Sequence, residues 1–108
     1  MFSVTPISAR ALQEKLAQHE DFLLLDVREA HEYAYAHIEP SVLIPLQQIP
    51  ARLTEIDAQR EVVVLCHHGM RSQQAAEYLV RNGVQRVFNL TGGIDAWSTQ
   101  CDPSVPRY

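Results

Sequence analysis

The chain has 108 residues, of which 46% are hydrophobic and 20% charged. That length and balance suit one globular domain, residues 1–108, and argue against disorder, a fibrous fold or a repeat array. A net charge of −4 with no basic run excludes a broad nucleic-acid surface, and the longest strongly apolar run, residues 62–66, is too short to span a bilayer.

The N-terminal residues 1–6 contain Pro6 and no apolar run of the signal-peptide kind, so a soluble, cytoplasmic protein is expected. Ser8 can cap a helix over residues 9–17, where Leu12 and Leu16 share a face. Residues 22–27 form a short, non-alternating apolar run, which predicts a strand buried on both faces. A short helix over 30–36 and a strand over 42–44 follow. Residues 46–56 read as helical, with Pro50 breaking the helix or opening a second turn. The clearest strand is 61–65, β-branched and apolar throughout. A helix over 71–81 carries an apolar stripe of Ala75, Ala76, Leu79 and Val80, and Asn82-Gly83 stops it. A strand over 84–90, a turn at 91–93, a short helix over 94–97 and an extended tail over 101–108 complete the chain.

Strands alternate with helices, which predicts an α/β fold: a central, mainly parallel sheet with helices on both faces. In such folds sites form at the carboxyl ends of strands. Two places qualify here, the end of the run carrying Asp26 and Arg28 and the end of the run carrying Cys66.

Cys66 opens the loop Cys66-His67-His68-Gly69-Met70-Arg71, which leads into a helix. A cysteine after a strand is often only a small buried hydrophobe. The surroundings of this one favour a nucleophile. Loop amides and the free N–H groups of the helix point toward an anion on the sulfur. Arg71 adds positive charge, as do His67 and His68 when protonated, and all of these stabilise a thiolate. Gly69 permits a tight curl. The same features would bind an anionic substrate, so Cys66 is the candidate catalytic residue and His67, His68, Gly69, Met70 and Arg71 are candidate substrate contacts.

Four separated segments resemble the signatures of the rhodanese-like sulfurtransferases. They are Leu24-Leu25-Asp26-Val27-Arg28-Glu29 with Glu32-Tyr33, Ala36-His37-Ile38 with Ile44-Pro45-Leu46, the Cys66 loop through Ser72, and Asn89-Leu90-Thr91-Gly92-Gly93-Ile94-Asp95-Ala96-Trp97. The second departs from the pattern, with Ala36 where the family usually has glycine and Glu39-Pro40 where a Gly-Ala pair usually follows. The resemblance implies attack of a Cys66 thiolate on the sulfane sulfur of a donor such as thiosulfate, a persulfide on Cys66, and transfer to cyanide, a thiol or a protein acceptor. It implies no metal and no organic cofactor. Related phosphatases have one more residue between cysteine and arginine, which would place the arginine where this chain has Ser72. The shorter ring favours sulfur over phosphate. Two other functions stand beside the enzyme: a persulfide carrier serving a protein partner, and a phosphatase or arsenate reductase on the same fold.

The remaining candidates have structural readings. Asp26 and Arg28 are expected to pair with each other, Glu32 or His37, because buried charges need partners, and His37 is expected to brace that network. One of His67 and His68 is expected to face solvent. Met70 is placed at the pocket mouth, Gly92 and Gly93 in a backbone turn, and Trp97 under the closing helix. Cys101 has no motif around it and is read as an exposed bystander rather than a resolving thiol.

Overall fold

A computed structural model describes residues 3–108. Its centre is a five-stranded sheet in the order β1-β5-β4-β2-β3, parallel at every pairing. The strands are β1 (Val4–Ile7), β2 (Leu23–Asp26), β3 (Val42–Leu43), β4 (Val62–Leu65) and β5 (Val87–Leu90). The helices are α1 (Ala9–Ala17), α2 (Ala30–Tyr35), α3 (Ile49–Arg52), α4 (Met70–Arg81) and α5 (Gly93–Gln100).

β4 lies in the middle of the sheet, and all four of its residues are fully buried. Strand side chains alternate between faces, so the run must be apolar at every position to serve two cores. Val63 and Leu65 join the apolar cluster of Leu12, Ile94 and Trp97, beneath α1 and α5. Val62, Val64 and Cys66 join the other, with Ile49, Ala75, Ala76 and Leu79 from α3 and α4. Cys66 therefore faces α4.

Several expected elements changed extent. β1 was not anticipated, because Pro6 interrupts its short run. It is tolerated since β1 is an edge strand, paired on one side only, as Val4 to Val87 through Ile7 to Leu90. Residues 46–56 are not one helix: 3₁₀ turns at Leu46–Gln48 and Leu53–Glu55 flank α3, and Pro50 occupies its first turn, where a missing N–H costs little. β5 begins at Val87 rather than 84, since the Val84 and Gln85 amides bond the carbonyls of Leu79 and Ala58 in the approach to the strand. α5 runs on to Gln100, three residues past the expected end. The tail is not simply extended either. The Asp102 amide bonds the Trp97 carbonyl, Val105 is buried, and Tyr108 returns to the carboxyl end of the sheet. Among the described residues no helix is long and apolar enough to cross a membrane.

Candidate active site

Cys66 follows β4 directly and is 1% exposed. The backbone N–H of Gly69 donates to its Sγ at 3.1 Å, and the Ser72 hydroxyl lies 3.2 Å from it. Gly69 has φ +114°, a conformation that turns the loop back over the sulfur and directly precedes the first residue of α4. The positive end of the α4 dipole thus lies beside Sγ. Ser72 Oγ also lies 2.5 Å from Asn89 Oδ1, and its single proton serves one of the two acceptors at a time. Asn89, on β5, donates to the Gly69 carbonyl and to Gln73 Oε1, tying the loop to the helix.

From below, α5 holds the loop. Its amides at Ile94 and Asp95, which have no partner within the helix, donate to the carbonyls of Cys66 and His67 at 2.9 and 3.2 Å. The approach is close enough to require glycine at Gly93. A Cβ there would lie 2.4 Å from the His67 oxygen and 2.5 Å from the Cys66 oxygen, and φ is +60°. The closing Gly-Gly turn is therefore part of the cysteine's mounting, a role its sequence context did not announce.

Two ion pairs are layered behind the loop. Asp26 and Arg28 are both fully buried and joined by contacts of 2.7, 2.9 and 3.1 Å. The remaining Arg28 donors reach the Ala36 carbonyl at 2.6 Å and the Tyr108 hydroxyl at 2.8 Å, so the buried charge is fully engaged. In front of it, Glu32 receives both terminal nitrogens of Arg71, at 2.7 and 2.9 Å. This fork holds the Glu32 carboxyl well below the usual carboxylate range and the Arg71 guanidinium above its own ordinary value. The positive charge that Arg71 was expected to add to the loop is therefore paired with a carboxylate.

Among the histidines, His68 faces solvent as expected of one of the loop pair, whereas His67 and His37 differ from expectation. The His67 ring is stacked between Tyr108, at 3.9 Å and 8°, and His68, at 4.0 Å and 22°. Burial, followed by the nearby His68, pushes its pKa down, which favours the neutral ring. His68 and Met70 face solvent. His37 stands apart from the Asp26–Arg28 pair: its ring stacks on Tyr33 and its nitrogens meet Glu39 and the Tyr33 carbonyl, which braces the end of α2 instead. The donor atoms of His67, His68 and Asp95 come within 4.8 Å of one another, but both Asp95 oxygens already bond Arg107 and the His67 ring is clamped.

The fold thus gathers Cys66, His67, Gly69 and Arg71 at one strand end, with Asp26 and Arg28 one layer behind. Beside the loop a surface hollow of about 590 Å³ is lined by Gly69, Met70, Arg71, Gln73, Gln74 and Asn89. Cys101 is not the exposed bystander expected: it is half-buried at the end of α5, packed against the apolar cluster there, and burial raises its thiol pKa. Ser72 and Asn89 fell within segments that resemble the family's signatures but were given no role at the sulfur, and Tyr108 was not anticipated at the site. Ser72 could have been found from its place one residue past Arg71, inside the first turn of the helix. Tyr108 had no local signal.

The sequence profile of the Rhodanese-like domain family matches residues 8–100. The chain is 42% identical over 102 residues to a protein of Allochromatium vinosum named sulfurtransferase, covering 94% of this chain and 95% of that one. It is 35% identical over 94 residues to the thiosulfate sulfurtransferase GlpE of Actinobacillus pleuropneumoniae, covering 87% of each. A crystal structure of a rhodanese-like domain protein from Staphylococcus aureus superimposes with a TM-score of 0.84 at 30% identity, over 97% of this chain and 99% of that one.

Proposed function

This chain belongs to the rhodanese-like domain family, and we propose that it is a sulfurtransferase that moves sulfane sulfur from a thiosulfate-type donor to a thiophilic acceptor through a persulfide on Cys66. The observation that carries this reading is the pair of donors, Gly69 N–H and Ser72 O–H, aimed at Sγ at the head of α4. A relative named thiosulfate sulfurtransferase, matched over 87% of each chain, supports the donor class.

In the first step the Cys66 thiolate attacks the outer sulfur of thiosulfate. The new S–S bond forms as the donor's S–S bond breaks, and its electron pair leaves with sulfite. The product is a persulfide anion on Cys66, one sulfur further out. In the second step cyanide or a thiolate attacks that outer sulfur and the electron pair returns to Sγ as thiolate. No net oxidation of the protein occurs, and two half-reactions of this kind give ping-pong kinetics. Donors preorganised on the sulfur need no rearrangement as charge moves outward and back. Ser72 can leave Asn89 and donate to Sγ whenever the negative charge returns there.

Four residues separate Cys66 from Arg71, a short ring that favours a single sulfur over a phosphoryl group. The partners on this reading are a small anionic donor and a cyanide or thiol acceptor, which in the cell can be a protein thiol. Incubation with thiosulfate and cyanide is expected to yield thiocyanate, and Cys66→Ser is expected to abolish it. Thiocyanate production that survives Cys66→Ser would overturn the assignment. A persulfide visible by intact mass but a poor thiosulfate turnover would point to the carrier role instead.

A further inference from the structure

The cation nearest the mouth of the hollow beside Cys66 is not free. Arg71 presents both terminal nitrogens to Glu32, whose side chain is 10% exposed against 36% for Arg71. Glu32 is itself fixed. Its Oε1 also accepts the Glu29 amide at 2.9 Å, and its Oε2 accepts the Tyr108 hydroxyl at 2.8 Å. Two further hydrogen bonds, from a backbone amide and from an aromatic residue stacked on His67, keep the carboxylate on the guanidinium. Of the other positive charges near the loop among the described residues, Arg28 is buried against Asp26 and Arg107 is paired with Asp95, and burial favours the neutral form of the His67 ring. An anion reaching the exposed edge of Arg71 therefore meets a neutral pair, with a held carboxylate on its far side.

Resting on the sulfur-transfer reading, we propose that Glu32 is a specificity-determining residue: by occupying Arg71 it turns the site against dianionic sulfur donors and toward donors of lower charge. The repulsion between Glu32 and a donor scales with the donor's charge, so thiosulfate, a dianion, is penalised about twice as much in logarithm as a monoanionic thiosulfonate. Methanethiosulfonate anion presents the same outer sulfur. Attack by the Cys66 thiolate forms the same persulfide, and the electron pair leaves with methanesulfinate.

The test compares kcat/KM for thiosulfate and methanethiosulfonate, with cyanide as acceptor, in wild type, Glu32→Gln and Glu32→Asp. Glutamine keeps the acceptor oxygen for Glu29 and removes the charge. It is expected to raise kcat/KM about tenfold for thiosulfate and about threefold for methanethiosulfonate, so that their ratio rises about threefold. Aspartate keeps the charge and is expected to leave the ratio at the wild-type value. Because the ratio is taken within each variant, loss of folded protein cancels. A ratio unchanged in Glu32→Gln, or raised equally in Glu32→Asp, overturns the proposal and leaves Glu32 a brace for Arg71. Wild type that gains no sulfur from either donor by intact mass overturns the sulfur-transfer reading beneath it. Loading by methanethiosulfonate with no change of ratio in the glutamine variant leaves that reading standing and removes only the role of Glu32.

Discussion

Replacing Gly93 by alanine tests how the cysteine loop is mounted. The new Cβ would be placed 2.4 to 2.5 Å from three backbone atoms, the His67 oxygen, the Cys66 oxygen and the His67 carbonyl carbon. No flexible side chain can swing aside to relieve these contacts, so either α5 or the loop must move. Overpacking of this kind costs about 1–3 kcal/mol. The left-handed backbone at φ +60° costs an alanine about 1–2 kcal/mol more. Gly83 separates the two contributions: its φ is +94°, and nothing lies within 4 Å of its would-be Cβ. Gly83→Ala is therefore expected to lose only the backbone part, about 1–2 kcal/mol, and Gly93→Ala about 2–5 kcal/mol. In urea unfolding, the Gly93 midpoint should fall below the Gly83 midpoint by about 0.5–2 M at unchanged slope. Sulfur loading of Cys66 should drop in the folded Gly93 variant and not in the Gly83 variant, because only the former displaces the loop carbonyls. Equal losses of stability in the two variants would refute the reasoning.

Ser72→Ala removes the hydroxyl shared between Sγ and Asn89 Oδ1 and leaves that amide oxygen without its donor, for a loss of about 1–3 kcal/mol in urea unfolding. The same variant should be alkylated at Cys66 more slowly by iodoacetamide at neutral pH, a readout that a purely structural serine would not move. His67 has its pKa depressed by burial, so folding favours its neutral ring. The stability tied to that neutral ring is complete above the ordinary histidine value and is lost as pH falls below it, toward the depressed folded value. His67→Phe should keep the stack against Tyr108 and show a shallower fall in unfolding midpoint between pH 7 and about pH 5 than wild type does. Parallel profiles would rule that account out.

The strands were legible where burial on two faces forces an unbroken apolar run, as in Val62-Val63-Val64-Leu65, and the position of Cys66 followed from the strand-end rule. β1 was not legible, since an edge strand need satisfy only one neighbour and can carry a proline. The make-up of the loop was legible, but not its electrical state. Arg71 reads as an added positive charge until the fold brings up Glu32, 39 positions earlier in the chain, and His67 reads as a further charge when protonated until Tyr108 covers it. Asp26 and Arg28 were predictable as partners because two charges at the end of an apolar strand have few other solutions. Their third partner, the Tyr108 hydroxyl, is supplied by a tail whose composition carries no periodic pattern.

The mounting of the loop also bears on how the protein comes into being. On a ribosome, a chain that has emerged only through α4 already carries Cys66 and the helix that faces it. It has neither the amides of Ile94 and Asp95, which donate to the loop carbonyls, nor β5, against which Val4–Ile7 must lie. Pairing Val4 with Val87 closes a loop spanning most of the chain, a step whose entropic cost is met only when both segments are present. The thiol is therefore translated well before its cradle. A nascent chain stalled at residue 90 would hold Sγ in a setting that lacks the α5 contacts on which the loop is mounted.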